Sequence, residues 1–168
     1  MTATATIQAS STGNNLQRAK PFPFRPMLSI SGARSSLPGL GEDEIIRLID
    51  TGDLEVAFNI GADEHARARE VRILPACIEH YQANVGKTFL NWEWPRIAQE
   101  ILNGYGLDWI SGVDLRLLLN CSTESIGRLI QRNQLALAPG SSCRPGPKGS
   151  PRIMVASFLE FLKKRRAL

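Results

Sequence analysis

The chain has 168 residues, 43% of them hydrophobic, and a formal net charge of +4. That length accommodates one domain or two small ones, and three cysteines with no Cys-x-x-Cys pair argue against a disulfide framework and a zinc site. No apolar run is long enough for a membrane span or the core of a signal peptide, so the expected compartment is the cytoplasm.

Residues 1–27 are rich in Thr, Ala, Ser and Asn and end in Pro21-Phe-Pro-Phe-Arg-Pro26. This composition predicts a disordered or extended arm. Its Arg18, Lys20 and Arg25 could touch a DNA backbone, although an unstructured leader is the plainer reading. Phe22 and Phe24 could instead pack on the first folded unit. In residues 28–84 a helix is expected to begin near Gly41, with Glu42-Asp43-Glu44 at its exposed start. Leu54 to Phe58 alternates like a strand, Gly61 to Arg69 turns, and Glu70 to Ile73 returns. A further helix is expected from Pro75 to about Ala83. Residues 85–106 form a joint in which Trp92 and Trp94 flank Glu93 and Pro95 fits the first turn of a short helix. That helix runs through Ile97, Ile101 and Leu102 and stops at Gly104. Such an apolar joint is expected to pack between its neighbours, with self-association as the competing reading.

In residues 107–168, Leu115, Leu118 and Leu119 have the i, i+3, i+4 spacing of one buried helical face. Asn120-Cys121-Ser122 breaks it, and Ser122 suits the N-cap of a second helix from Thr123. Ile126, Leu129 and Ile130 repeat the spacing, leaving Thr123, Glu124, Ser125 and Arg128 facing outward. Two short helices around a tight turn read as a helix-turn-helix, whose second helix is slim enough for a DNA major groove. A plain helical hairpin of the core is the alternative. Leu135 to Ala138 is expected to run out as a strand and Pro151 to Met154 to return. A helix then follows from Val155 to about Arg165.

The two stretches echo each other. Ile30-Ser31-Gly32 recurs as Ile110-Ser111-Gly112, Arg47-Leu48-Ile49 as Arg128-Leu129-Ile130, and Arg72-Ile73 as Arg152-Ile153. The period, near 80 residues, is too long for a solenoid, so two copies of one small unit are expected. Helix, turn, helix, two-stranded wing, helix resembles the MerR/excisionase-type superfamily of winged helix-turn-helix DNA-binding domains. The matching residues are Leu118 to Ile130, then Leu135, and the Arg-Ile pair that leads into an apolar helix. The resemblance implies a mainly α fold with small β-hairpin wings (α+β), in two tandem winged helix-turn-helix domains. It also implies a transcription regulator or an excisionase-like architectural factor, partnered by double-stranded DNA and by transcription machinery or a recombinase.

Charge separates the copies. Residues 28–84 hold five Arg or Lys against ten Asp or Glu, whereas 107–168 hold ten against four. Cations that neutralise phosphates carry DNA binding, so the second unit is expected to be the reader. Its candidate DNA-binding residues are Ser122, Thr123, Glu124, Ser125, Arg128 and Arg132 on the helix and Arg144, Lys148 and Arg152 in the wing. Lys163 to Arg166 adds cations that either meet phosphate or complement a helix C-terminus. The acidic unit is expected to be a scaffold, a dimerisation surface or a docking domain. Gly86-Lys87-Thr88 lacks the earlier glycine of a phosphate loop, and Cys77 with His80 has no second pair of metal ligands. His65 and His80 have no Ser or Asp constellation. No catalytic residue, metal or cofactor is therefore expected. The other functional class left open is a protein–protein adaptor. A homodimer and a cytoplasmic, nucleoid-associated location fit either use.

Overall fold

A computed structural model describes residues 24–61, 70–84, 92–142 and 150–167. The protein is α+β: among the described residues, seven helices pack with two small antiparallel sheets.

Strand β1 (Leu28–Ser29) runs into helix α1 (Ile30–Ser36). Ser29 caps that helix, its hydroxyl oxygen accepting the Gly32 N–H at 3.1 Å. Helix α2 (Glu42–Asp50) starts after Gly41, whose N–H is held by the Glu44 carboxylate at 2.7 Å. Strands β2 (Ala57–Asn59) and β3 (Val71–Ile73) pair antiparallel, and β1 takes the other edge of β3. Helix α3 (Pro75–Ala83) opens on a proline, which loses no bond there. Helix α4 (Trp94–Leu102) is the joint helix, and it ends where Asn103 and Gly104 both turn left-handed.

A similar order follows, without a strand in the place of β2. Strand β4 (Trp109–Ser111) leads into α5 (Gly112–Leu118), α6 (Thr123–Gln131), β5 (Arg152–Met154) and α7 (Val155–Lys164). The turn residues Gly39 and Asn120 occupy equivalent places and share positive φ, and so do Gly52 and Asn133. Glycine takes that conformation freely, and asparagine tolerates it better than most residues.

Three expectations need correction. Ser31 does not match Ser111: the N-caps are Ser29 and Ser111, and Ser29 pairs with Arg72 as Ser111 pairs with Arg152. Ser31 lies inside α1, so the shared Ile-Ser-Gly letters are two residues out of structural register. The strand expected from Leu54 is only Ala57–Asn59, because Leu54 instead closes the end of α2, its N–H donating to the Leu48 carbonyl at 2.8 Å. Its counterpart, Leu135 to Ala138, forms no named strand and meets β5 through a single bridge, Leu137 to Ile153.

The third correction concerns the basic run Lys163 to Arg166. Arg166–Ala167 forms β6, which pairs antiparallel with β2 on the far edge of the first sheet. The Arg166 guanidinium donates to the Glu55 carbonyl from Nε and Nη2 and to the Trp92 carbonyl from Nη1, at 3.1–3.3 Å. Arg165 is buried, with its guanidinium over the Phe161 ring. Only Lys163 and Lys164 remain exposed, and Lys164 faces Glu160.

Contacts also run the other way. The Met27 N–H donates to the Leu118 carbonyl at 2.8 Å. Arg72 Nε donates to the Leu119 carbonyl at 2.7 Å and its Nη2 to that of Asn120 at 3.0 Å. Buried side chains from both halves join one cluster that includes Phe58, Ile73, Trp92, Ile97, Leu115 and Phe158. Trp92 is buried in this cluster, edge-on to His80 and beneath the Arg96 guanidinium.

Replacing Arg72 with methionine keeps the aliphatic stem and removes the contacts to the Leu119 and Asn120 carbonyls, along with one to the Val71 carbonyl. Hydrogen bonds from a charged donor contribute about 1.5–3 kcal/mol each, but Arg72 is half-exposed and water can replace part of that. Urea unfolding should show a loss of about 1–3 kcal/mol in total, with faster amide exchange at Asn120 and Cys121.

Candidate nucleic-acid interface

Helix α6 owes its start to Ser122. The Ser122 backbone is extended, and its Oγ accepts the Ser125 N–H at 3.1 Å and meets the Ser125 hydroxyl at 3.1 Å. Both serine hydroxyls are thus engaged in the cap. Ile126, Leu129 and Ile130 are buried, as their spacing requires. At 100° per residue, the line opposite them carries Glu124, Arg128 and Gln131, all exposed. Thr123 and Gly127 flank that line on one side, Ser125 and Arg132 on the other. Glu124 accepts from its own N–H and from the Ser122 hydroxyl, and with Arg128 nearby its carboxyl is held below the usual carboxylate range.

Of the residues expected to contact DNA, Thr123, Glu124 and Arg128 are exposed on α6 and Arg132 at its C-cap. Ser125 is half-buried and committed to the cap. Arg152 is exposed on β5, its guanidinium 5.3 Å from the centre of the Trp109 ring. Its backbone N–H donates to Ser141 Oγ and its carbonyl accepts from Ala138, each at 2.8 Å, which ties β5 to residues 138–141. Arg144 and Lys148 lie outside the described residues.

A groove beside α6 has no signature in the sequence. It encloses about 460 Å³ between the start of α5, one flank of α6 and Ser150-Pro151. Gly112 makes this closure feasible: its N–H donates to the Pro151 carbonyl at 2.7 Å, and a Cβ there would sit 2.9 Å from Pro151 Cγ. Gly127 lines the groove for no such reason, since a Cβ there would meet nothing within 4 Å. A glycine inside a helix costs about 1 kcal/mol relative to alanine. Its repeat counterpart in α2 is Ile46, the same fifth position after the cap.

Burial pushes the Cys121 thiol up to about 11, and burial also raises Cys77. No three His, Cys, Asp or Glu side chains cluster as metal ligands among the described residues. No helix of these residues is long and apolar enough to cross a membrane. The chain matches no protein-family model, no curated protein and no solved structure.

Changing Ser122 to alanine removes both the helix cap and a donor to Glu124. Stability should fall by about 1 kcal/mol, read by denaturant unfolding. The Glu124 titration, followed by NMR, should move up toward an ordinary glutamate, because a donor that favoured the carboxylate is gone.

Proposed function

We propose that this chain is a non-enzymatic, sequence-specific binder of double-stranded DNA whose reader is the hairpin α5–α6. In this reading each half is a winged helix-turn-helix, α6 is the recognition helix, and the segment around Arg152 belongs to the wing. The observation that carries the proposal is the face of α6: a capped, nine-residue helix that buries its apolar side and presents Thr123, Glu124, Arg128 and Arg132 to solvent. A helix docked in the major groove needs this division, with apolar contacts behind and hydrogen-bonding groups in front. Arginine is suited to a guanine edge or a phosphate, and Glu124 to the amino group of cytosine. The charge of residues 107–168, ten basic against four acidic, supplies phosphate attraction even with Arg165 and Arg166 turned inward.

The acidic start of α2, Glu42-Asp43-Glu44, is exposed at the equivalent place and would be repelled by phosphate. The first half therefore supports the reader and does not enter the groove. The resemblance to MerR/excisionase-type domains favours a transcription regulator, with an excisionase-like DNA-bending role as its variant. An adaptor that binds protein is the second reading, and Leu107, Val113 and Leu117, all large apolar side chains exposed on the second half, favour it.

Selection of bound sequences from random duplexes tests the proposal, and salt-insensitive or absent duplex binding would reject it. Arg128→Ala should weaken the selected site by about 1–3 kcal/mol if the side chain reads a guanine. If it meets phosphate alone, all duplexes should weaken together. Neutralising Glu42, Asp43 and Glu44 to Gln, Asn and Gln should leave the preferred sequence unchanged. A new base preference would show that α2 also reads DNA.

A further inference from the structure

We infer that the groove beside α6 receives one sugar–phosphate strand of the bound duplex, with Gly127 as the point of closest approach and Arg116 as the phosphate partner. This rests on the DNA-binding reading above and assigns a site within it.

Gly127 is the first support. Its backbone is not left-handed, and a Cβ would find open space, so neither conformation nor internal packing calls for glycine there. Glycine is the least favourable residue of a helix interior after proline. The counterpart in α2 is Ile46, a large and exposed side chain, so the fold accepts bulk at this position. A bare backbone in the middle of the exposed flank is what a partner in close approach needs.

The groove walls agree. Val113, half-exposed at 50%, and Pro151 give it apolar sides, whereas the residue equivalent to Val113 on α1 is the serine Ser31. Arg116 lines the same groove, half-buried, and its guanidinium has no hydrogen-bond or ion-pair partner among the described residues. Glu124 also lines the groove, and the charge of the neighbouring Arg128 offsets that of its carboxylate. A nucleic-acid strand alternates apolar deoxyribose with anionic phosphate, which matches apolar walls carrying a cation. The groove is also open to solvent, as a continuous strand requires.

The test uses the full chain and the duplex selected above. Gly127→Ala should raise the melting temperature by roughly 2–4 °C, because alanine is the better helix former, and yet weaken DNA binding. That rise shows the helix intact, so the lost affinity cannot come from unfolding. Gly127→Ile, which installs the residue of the other copy, should weaken binding by about tenfold or more. Arg116→Gln should lower affinity for every duplex and reduce the slope of log affinity against log salt by about 0.9. Wild-type affinity in Gly127→Ile, while Arg128→Ala still weakens binding, would overturn the groove assignment and leave the DNA reading standing. Failure of the unaltered protein to bind any duplex would overturn both.

Discussion

The turn between α5 and α6 is closed only in part by its own residues, through the Asn120 and Cys121 N–H groups on the Leu117 and Arg116 carbonyls. The C-terminal end of a helix leaves carbonyls without intrahelical donors. Here those of Leu118, Leu119 and Asn120 are met by the Met27 N–H and by two nitrogens of Arg72. The equivalent turn after α1 is closed from within the first half, with the Gln82 side-chain amide of α3 on the Ser36 carbonyl and the Leu40 N–H on that of Leu37. The second hairpin thus depends on the first half for its geometry, and the first half does not depend on the second in the same way. An acidic unit with no evident attraction to phosphate therefore has a physical role, because it fixes the turn from which α6 projects.

The C-terminal segment returns the dependence. Two paired residues make a weak strand, but Arg166 joins the carbonyls of Glu55 and Trp92 and Arg165 is buried beside Phe161. The pairing also covers the free edge of β2, which would otherwise expose unpaired main-chain groups. With Met27 and Arg72 reaching one way and β6 the other, the halves are tied in both directions. The shared apolar cluster fills the space between them.

The two halves keep equivalent roles with different residues. Ser157 Oγ accepts the Ala136 N–H at 2.8 Å. Cys77, its counterpart, turns its sulfur to the N–H groups of Glu55 and Val56. Gly39 and Asn120 make the same left-handed turn. These positions keep one geometry in both copies. Ile46 against Gly127 and Ser31 against Val113 do not, and those departures lie along one groove of the basic half.

The sequence by itself determined whatever depends on neighbours three or four residues apart. The buried faces of α5 and α6, the Ser122 cap and the proline-led starts of α3 and α4 were all legible, because side-chain spacing and capping act within one or two helical turns. The N-cap at Ser29 was not legible, since matching letters cannot tell which serine stands just outside the helix. Tertiary structure alone decided the rest. Arg72 meets Leu119 across 47 positions and Arg166 meets Glu55 across 111, and no local period encodes a contact at such separations. The groove at Gly127 likewise exists only once α5, α6 and Pro151 are brought together, so a glycine that looked unremarkable in the chain became a site by packing.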